Sequence, residues 1–147
     1  MIIQLFGMDP KSRYELGQAL AEREKFWHVV DTDLPMAQLQ AQFARWLRNI
    51  SWTFTKDYGK KNNIGMITDG YFVSKEARSE YRAVAYADHH IPDVAVWVDT
   101  TDAKEFKDTF GDIQKWEEPE SSEYDIRVTS LENLQDIVDS ILNYWNE

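Results

Sequence analysis

The reading of the fold turns on one stretch, 2-IIQLFGMDPKSRYELGQAL-20. Its first five residues, Ile2 to Phe6, are almost continuously apolar, the pattern of a strand covered on both faces. A glycine follows, then a polar run through Arg13, then Leu16 and Leu20 at the four-residue spacing of a helix face. A buried strand passing through a glycine into a helix is the first half of a crossover unit. Neighbouring parallel strands need a connection of that length.

Four further runs read as strands: Trp27–Asp31, Ile64–Thr68, Val94–Asp99 and Tyr124–Val128. Helical patterns lie between them. Met36, Leu39, Phe43, Leu47 and Ile50 mark one, which can run on to about Tyr58. Another starts at Ser74 as N-cap, with Ala77, Tyr81, Val84 and Ala85 inward. In the last, Leu131, Leu134, Ile137, Val138, Ile141, Leu142 and Trp145 fall on one stripe, with Ser130 placed to cap it. The alternation predicts right-handed crossovers and one three-layer α/β domain over residues 1–147, a five-stranded parallel sheet flanked by helices.

In such sheets ligands sit beyond the carboxyl ends of the strands. Those ends carry Gly7 to Arg13, Asp31-Thr32-Asp33, Thr68-Asp69-Gly70 and Asp99-Thr100-Thr101. Carboxylates there can hold a metal ion or accept a proton from a substrate hydroxyl, although aspartate also caps loops after strands.

Composition narrows the classes. Of 147 residues, 43% are apolar and 14% aromatic, enough for a filled core. Cysteine is absent, which excludes disulfides and thiolate chemistry. No apolar stretch approaches the roughly 20 residues of a membrane span, and no basic segment leads an apolar one, so a cytoplasmic protein is expected. Residues 1–98 carry 12 Lys+Arg and 12 Asp+Glu, whereas residues 99–147 carry 4 and 14. The net charge of −10 therefore belongs to the last third. That surface repels a nucleic-acid backbone. It is either a solvated acidic face or a docking face for a basic partner.

Four segments together resemble a family. They are the opening strand–loop–helix, 67-ITDGYFVSKEAR-78, 91-IPDVAVWVDTT-101 and 116-WEEPESSEYDIRV-128. In order and spacing they are similar to the small P-loop kinases of the adenylylsulfate kinase and polynucleotide kinase type, over nearly the whole chain. The resemblance implies phosphoryl transfer from ATP with magnesium to a small acceptor. It places Asp33 where an acidic residue can orient or deprotonate the acceptor hydroxyl, and Asp69 near magnesium and substrate. Arg78 becomes a candidate anion contact, or else an exposed arginine paired with Glu76 or Asp69.

The chain departs from that family at the phosphate loop itself. Against G-x-x-x-x-G-K-[ST], the ungapped register from Gly7 puts Ser12 in place of the second glycine, Arg13 in place of the lysine and Tyr14 in place of the hydroxyl residue. This register keeps Leu16, Ala19 and Leu20 on the helix face that meets the sheet. The alternative shortens the loop by two residues and lets Lys11-Ser12 stand for the lysine–serine pair. In both, Pro10 removes an amide donor and Asp9 brings a negative charge to the anion's place. The helix N-terminus and Arg13 still favour an anion. Between Asp99 and Trp116, where this family places arginines in a mobile lid, the chain has Lys104, Lys107 and Lys115 but no arginine, and reads as an acidic amphipathic helix.

His89-His90 is a poor metal pair, because adjacent side chains point apart. Phe43, Trp46, Trp52, Phe54 and Tyr58 suit core packing, a stacking wall for a base, or a homodimer contact. The expectation is a kinase-fold protein with a degenerate phosphate loop that acts by binding a nucleotide-like anion, a protein partner or both. The alternative is an active small kinase. Gly7, Lys11, Ser12, Arg13 and Arg78 are the candidate phosphate contacts, and Asp33 and Asp69 the candidate catalytic carboxylates.

Overall fold

A computed structural model describes residues 1–30, 65–85 and 93–144. The helical pattern from Met36 onward, Asp33, the aromatic group and His89-His90 lie outside the described residues. Strands β1 (Ile2–Phe6), β2 (Trp27–Val30), β3 (Met66–Gly70), β4 (Asp93–Val98) and β7 (Ile126–Val128) form one sheet in the order β2-β3-β1-β4-β7. Every pairing in it is parallel. Helices α1 (Pro10–Glu24), α2 (Lys75–Ala85) and α3 (Leu134–Leu142) accompany it.

The apolar runs explain the layering. All five residues of β1 are buried, and their alternation serves two cores. Ile3 and Leu5 pack with Leu16 and Leu20 of α1 and with Val138 and Ile141 of α3. Ile2 and Phe6 pack on the opposite face with Phe72, Tyr81 and Trp97. A central strand buried on both faces reads as a near-continuous hydrophobic run, interrupted here by the buried Gln4. On the first face Arg23 of α1 reaches α3, bonding Asp139 and, at 2.6 Å, Gln135.

The structure differs from the sequence reading at three elements. The third strand runs through Thr68, Asp69 and Gly70 rather than ending at Thr68, because those polar residues are buried and paired rather than solvated. The last helix begins at Leu134. Ser130 Oγ accepts the Glu132 amide at 3.1 Å, so Ser130 closes a turn, and Asn133 at φ +58° then precedes the helix. Ser74 does cap α2, accepting the Ala77 amide at 3.0 Å.

The third difference is the segment expected to be an acidic helix, which is an antiparallel hairpin of β5 (Glu105–Lys107) and β6 (Ile113–Lys115). Gly111 at φ +87° and an aspartate that bonds its own turn favour a reversal over a helix there. Among the described residues no helix is long and apolar enough to cross a membrane.

Candidate functional site

The turn from β1 to α1 is short. Three residues, Gly7, Met8 and Asp9, separate Phe6 from Pro10, the first residue of the helix. Gly7 has φ +146°, and a Cβ there would lie 2.2 Å from the carbonyl oxygen of Val98. Only glycine lets the backbone cross the end of β4 that closely. Lys11 and Ser12, which a longer loop would carry round a ligand, already belong to the first turn of α1.

Asp9 is the N-cap. Its Oδ1 accepts the Ser12 amide at 3.3 Å, and its Oδ2 accepts Ser12 Oγ at 2.7 Å and Thr100 Oγ1 at 3.0 Å. The Lys11 amide bonds the same carboxylate. Pro10 has no N–H, and the Arg13 amide goes to the Asp9 carbonyl at 3.1 Å. The N–H groups of the first helical turn are thus all accounted for. Burial raises the pKa of Asp9, but the bonds from Ser12, Thr100 and the Ser12 and Lys11 amides outweigh it and leave it below the ordinary value.

The side chain of Arg13 is 1% exposed and points into the molecule. Its Nε lies 3.5 Å from Asp69 Oδ1, and its guanidinium sits 4.3 Å from the centre of the Tyr71 ring. Asp69 is fully buried at the end of β3. Its Oδ2 is 2.9 Å from Nε2 of His28, whose Nδ1 lies 2.9 Å from Gln18 Oε1. Gly17 makes room for that imidazole, since a Cβ there would fall 2.3 Å from His28 Nε2. The structure thus joins two candidate residues, Arg13 and Asp69, to one another, and adds His28, Gln18 and Tyr71. Lys11 and Tyr14 are both exposed, the Tyr14 ring lying 5.3 Å from that of His28.

Arg78 is elsewhere, and it is buried at 2% exposure rather than on the surface. Each guanidinium nitrogen donates: Nε to Glu123 Oε1 at 2.8 Å, Nη1 to the Phe72 carbonyl at 2.7 Å and Nη2 to the Glu117 carbonyl at 2.8 Å. Its acidic partner is therefore Glu123, not Glu76 or Asp69. The ring centres of Trp116 and Phe6 lie 5.1 and 5.6 Å away. Phe72 holds φ +44°, an uncommon conformation for a bulky residue, fixed by the Arg78 bond and by an edge contact to Tyr81. Asp99 accepts two bonds from Arg127, at 2.6 and 3.0 Å.

His28, Gln18 and Thr100 carry no sequence signal of their roles, because their partners lie 41, 10 and 91 residues away in the chain. Thr100 was reachable only as part of the Asp99-Thr100-Thr101 strand end.

Comparison with protein families and with characterised proteins at the level of sequence finds no match. Among solved structures the chain is similar to APE1195, with TM-score 0.57 and 15% identity, over 99% of this chain and 94% of that one. It is also similar to a variant of the APS kinase CysC of Mycobacterium tuberculosis, with TM-score 0.53 and 16% identity, over 99% and 96%. Shikimate kinase from Aquifex aeolicus gives 0.48 at 17% identity, too low a score to carry weight. Identities of this size speak for the fold. The chain has the α/β fold of the P-loop kinases, with a parallel five-stranded sheet in the order β2-β3-β1-β4-β7.

Proposed function

We propose that this protein keeps a kinase fold without transferring phosphate through its first loop, and that it acts by binding another protein. The observation that carries this reading is the Asp9 carboxylate, which takes the amides and hydroxyl at the start of α1. A helix N-terminus is where such a fold holds phosphate, through free N–H groups and a favourable dipole. Here those donors already serve an anion that is part of the chain.

Two further facts support it. The three-residue turn leaves Lys11 and Ser12 inside the helix, so this turn is too short to wrap a triphosphate. Arg13, in the register that places it for the motif's lysine, faces Asp69 in the interior. Magnesium–ATP therefore does not fit this turn. Asp69 has the matching role of holding Arg13 and His28, which is a reason to regard it as structural rather than catalytic.

The test is calorimetric titration of the full chain with magnesium–ATP and magnesium–ADP up to millimolar concentration. Phosphoryl transfer to adenylylsulfate, nucleosides and 5′-hydroxyl oligonucleotides is assayed alongside. The expected result is no saturable heat and no transfer. Turnover that disappears in Asp33→Asn sinks the reading and establishes the protein as an active kinase.

A further inference from the structure

The middle of β1 carries a polar side chain that apolar packing does not explain. Strand register sets Gln4 beside Thr68 of β3 on one side and Ala95 of β4 on the other. By the alternation of the strand, Gln4 shares the face of Ile2 and Phe6. All three are buried, Gln4 at 1% exposure. Around them the core on this face is Ile2, Phe6, Met66, Phe72, Tyr81 and Trp97.

Thr68 has partners. Its Oγ1 lies 2.7 Å from Tyr81 Oη and 3.5 Å from the Ile3 carbonyl oxygen. Gln4 Nε2, which carries two N–H donors, makes no hydrogen bond among the described residues. A buried amide without an acceptor bears the full cost of leaving water. Nearly all such groups in folded proteins therefore meet a protein atom or an ordered water.

The surroundings narrow what that acceptor is. An anion would bring a buried charge, and Arg78, the buried cation of α2, already bonds at every nitrogen. A neutral acceptor is required. It must also be small, because the neighbours are close-packed side chains and only Ala95 leaves room beside the amide. Finally it needs a second polar contact, and Thr68 supplies one. Whichever way the hydrogen points between Thr68 and Tyr81, Thr68 Oγ1 keeps at least one lone pair.

We infer that one water molecule is bound inside this core as a fixed part of the fold, accepting from Gln4 Nε2 and donating to Thr68 Oγ1. Buried waters typically make roughly two to four hydrogen bonds to polar groups that would otherwise go unsatisfied. This one completes a polar path from the central strand to α2, through Gln4, the water, Thr68 and Tyr81. The site stands apart from the turn after β1, and neither it nor its test depends on the binding role proposed above.

The experiment is a pair of crystal structures of the full chain, wild type and Gln4→Met, at about 1.5 Å resolution. Methionine keeps the volume of the side chain and removes the amide. Wild type is expected to show one isolated peak about 2.7–3.2 Å from both the Gln4 amide nitrogen and Thr68 Oγ1. The peak is expected to vanish in Gln4→Met. A Gln4 amide bonded directly to another residue, no peak beside it, or density larger than one water overturns the inference. So does a water that persists unchanged in Gln4→Met.

Should the variant fail to fold, wild type alone still decides. In solution the side-chain amide protons of Gln4 should cross-relax with water, with opposite signs in NOESY and ROESY spectra, as for a water held longer than surface hydration. Absence of that signal also overturns the inference.

Discussion

At Asp9 a single carboxylate gathers two hydroxyls and two amides, and its titration follows from that. Burial alone would push its pKa up, but the hydrogen bonds hold it below 3.8. With the folded value depressed, the unfolded chain takes up the proton first as pH falls. The stabilisation is complete well above pH 3.8 and is lost as pH drops through the folded value. Asp9→Asn is expected to cost about 1 kcal/mol at pH 7, the usual scale of an N-cap. Its melting temperature should also fall less steeply than that of wild type on acidification below about pH 4.

Gly7→Ala is expected to be worse, by roughly 2–4 kcal/mol in urea unfolding. It meets both a positive φ and the Val98 carbonyl, neither of which can yield cheaply. Asp69→Asn leaves a buried guanidinium and imidazole facing a neutral amide. A loss of about 3 kcal/mol or more is expected, by the rule for buried pairs that lose one member. A double-mutant cycle with Arg13→Met, read by urea unfolding, should show coupling well above about 0.5 kcal/mol.

Among the elements, α2 is tied to the segment before β7 by one row of cations. Arg78 takes the Glu117 carbonyl and Glu123, Arg82 the Ser122 carbonyl at 2.8 Å, and Lys75 the Glu120 carboxylate at 2.9 Å. Lys75–Glu120 is exposed and contributes little, whereas Arg78 is buried and bonded at every nitrogen. Arg78→Ala should therefore raise amide exchange across 117–125 and cost about 3 kcal/mol, while Lys75→Ala stays within about 0.5 kcal/mol. The parallel strands were legible because covered strands must be apolar, and α2 because Ser74 caps it. The extension of β3 was not legible, since Asp69 meets Arg13 and His28 in the interior and both come from other elements. Periodicity also misjudged the hairpin. Its charges alternate like a solvated helix face, while its shape is decided by Asp108 and Gly111. Around the turn after β1, the sequence marked Asp9 and Pro10 as foreign to a phosphate loop. It did not reveal that Thr100, from the far end of β4, completes their arrangement.

For the whole molecule, net charge −10 concentrated in one third implies self-repulsion that salt relieves. Melting temperature should rise by a few degrees between about 10 and about 150 mM sodium chloride, as the Debye length shrinks from about 30 to about 8 Å. Proteins that hold phosphate at a helix start gain stability as ligand concentration rises above the dissociation constant, so their melting points track the supply of that ligand. In this chain the anion at the start of α1 is tethered, three bonds from its own backbone nitrogen. It is present at an effective concentration that no dilution or depletion alters. At the start of α1 the Asp9 carboxylate stands in the place of a bound anion, a ligand inherited with the sequence.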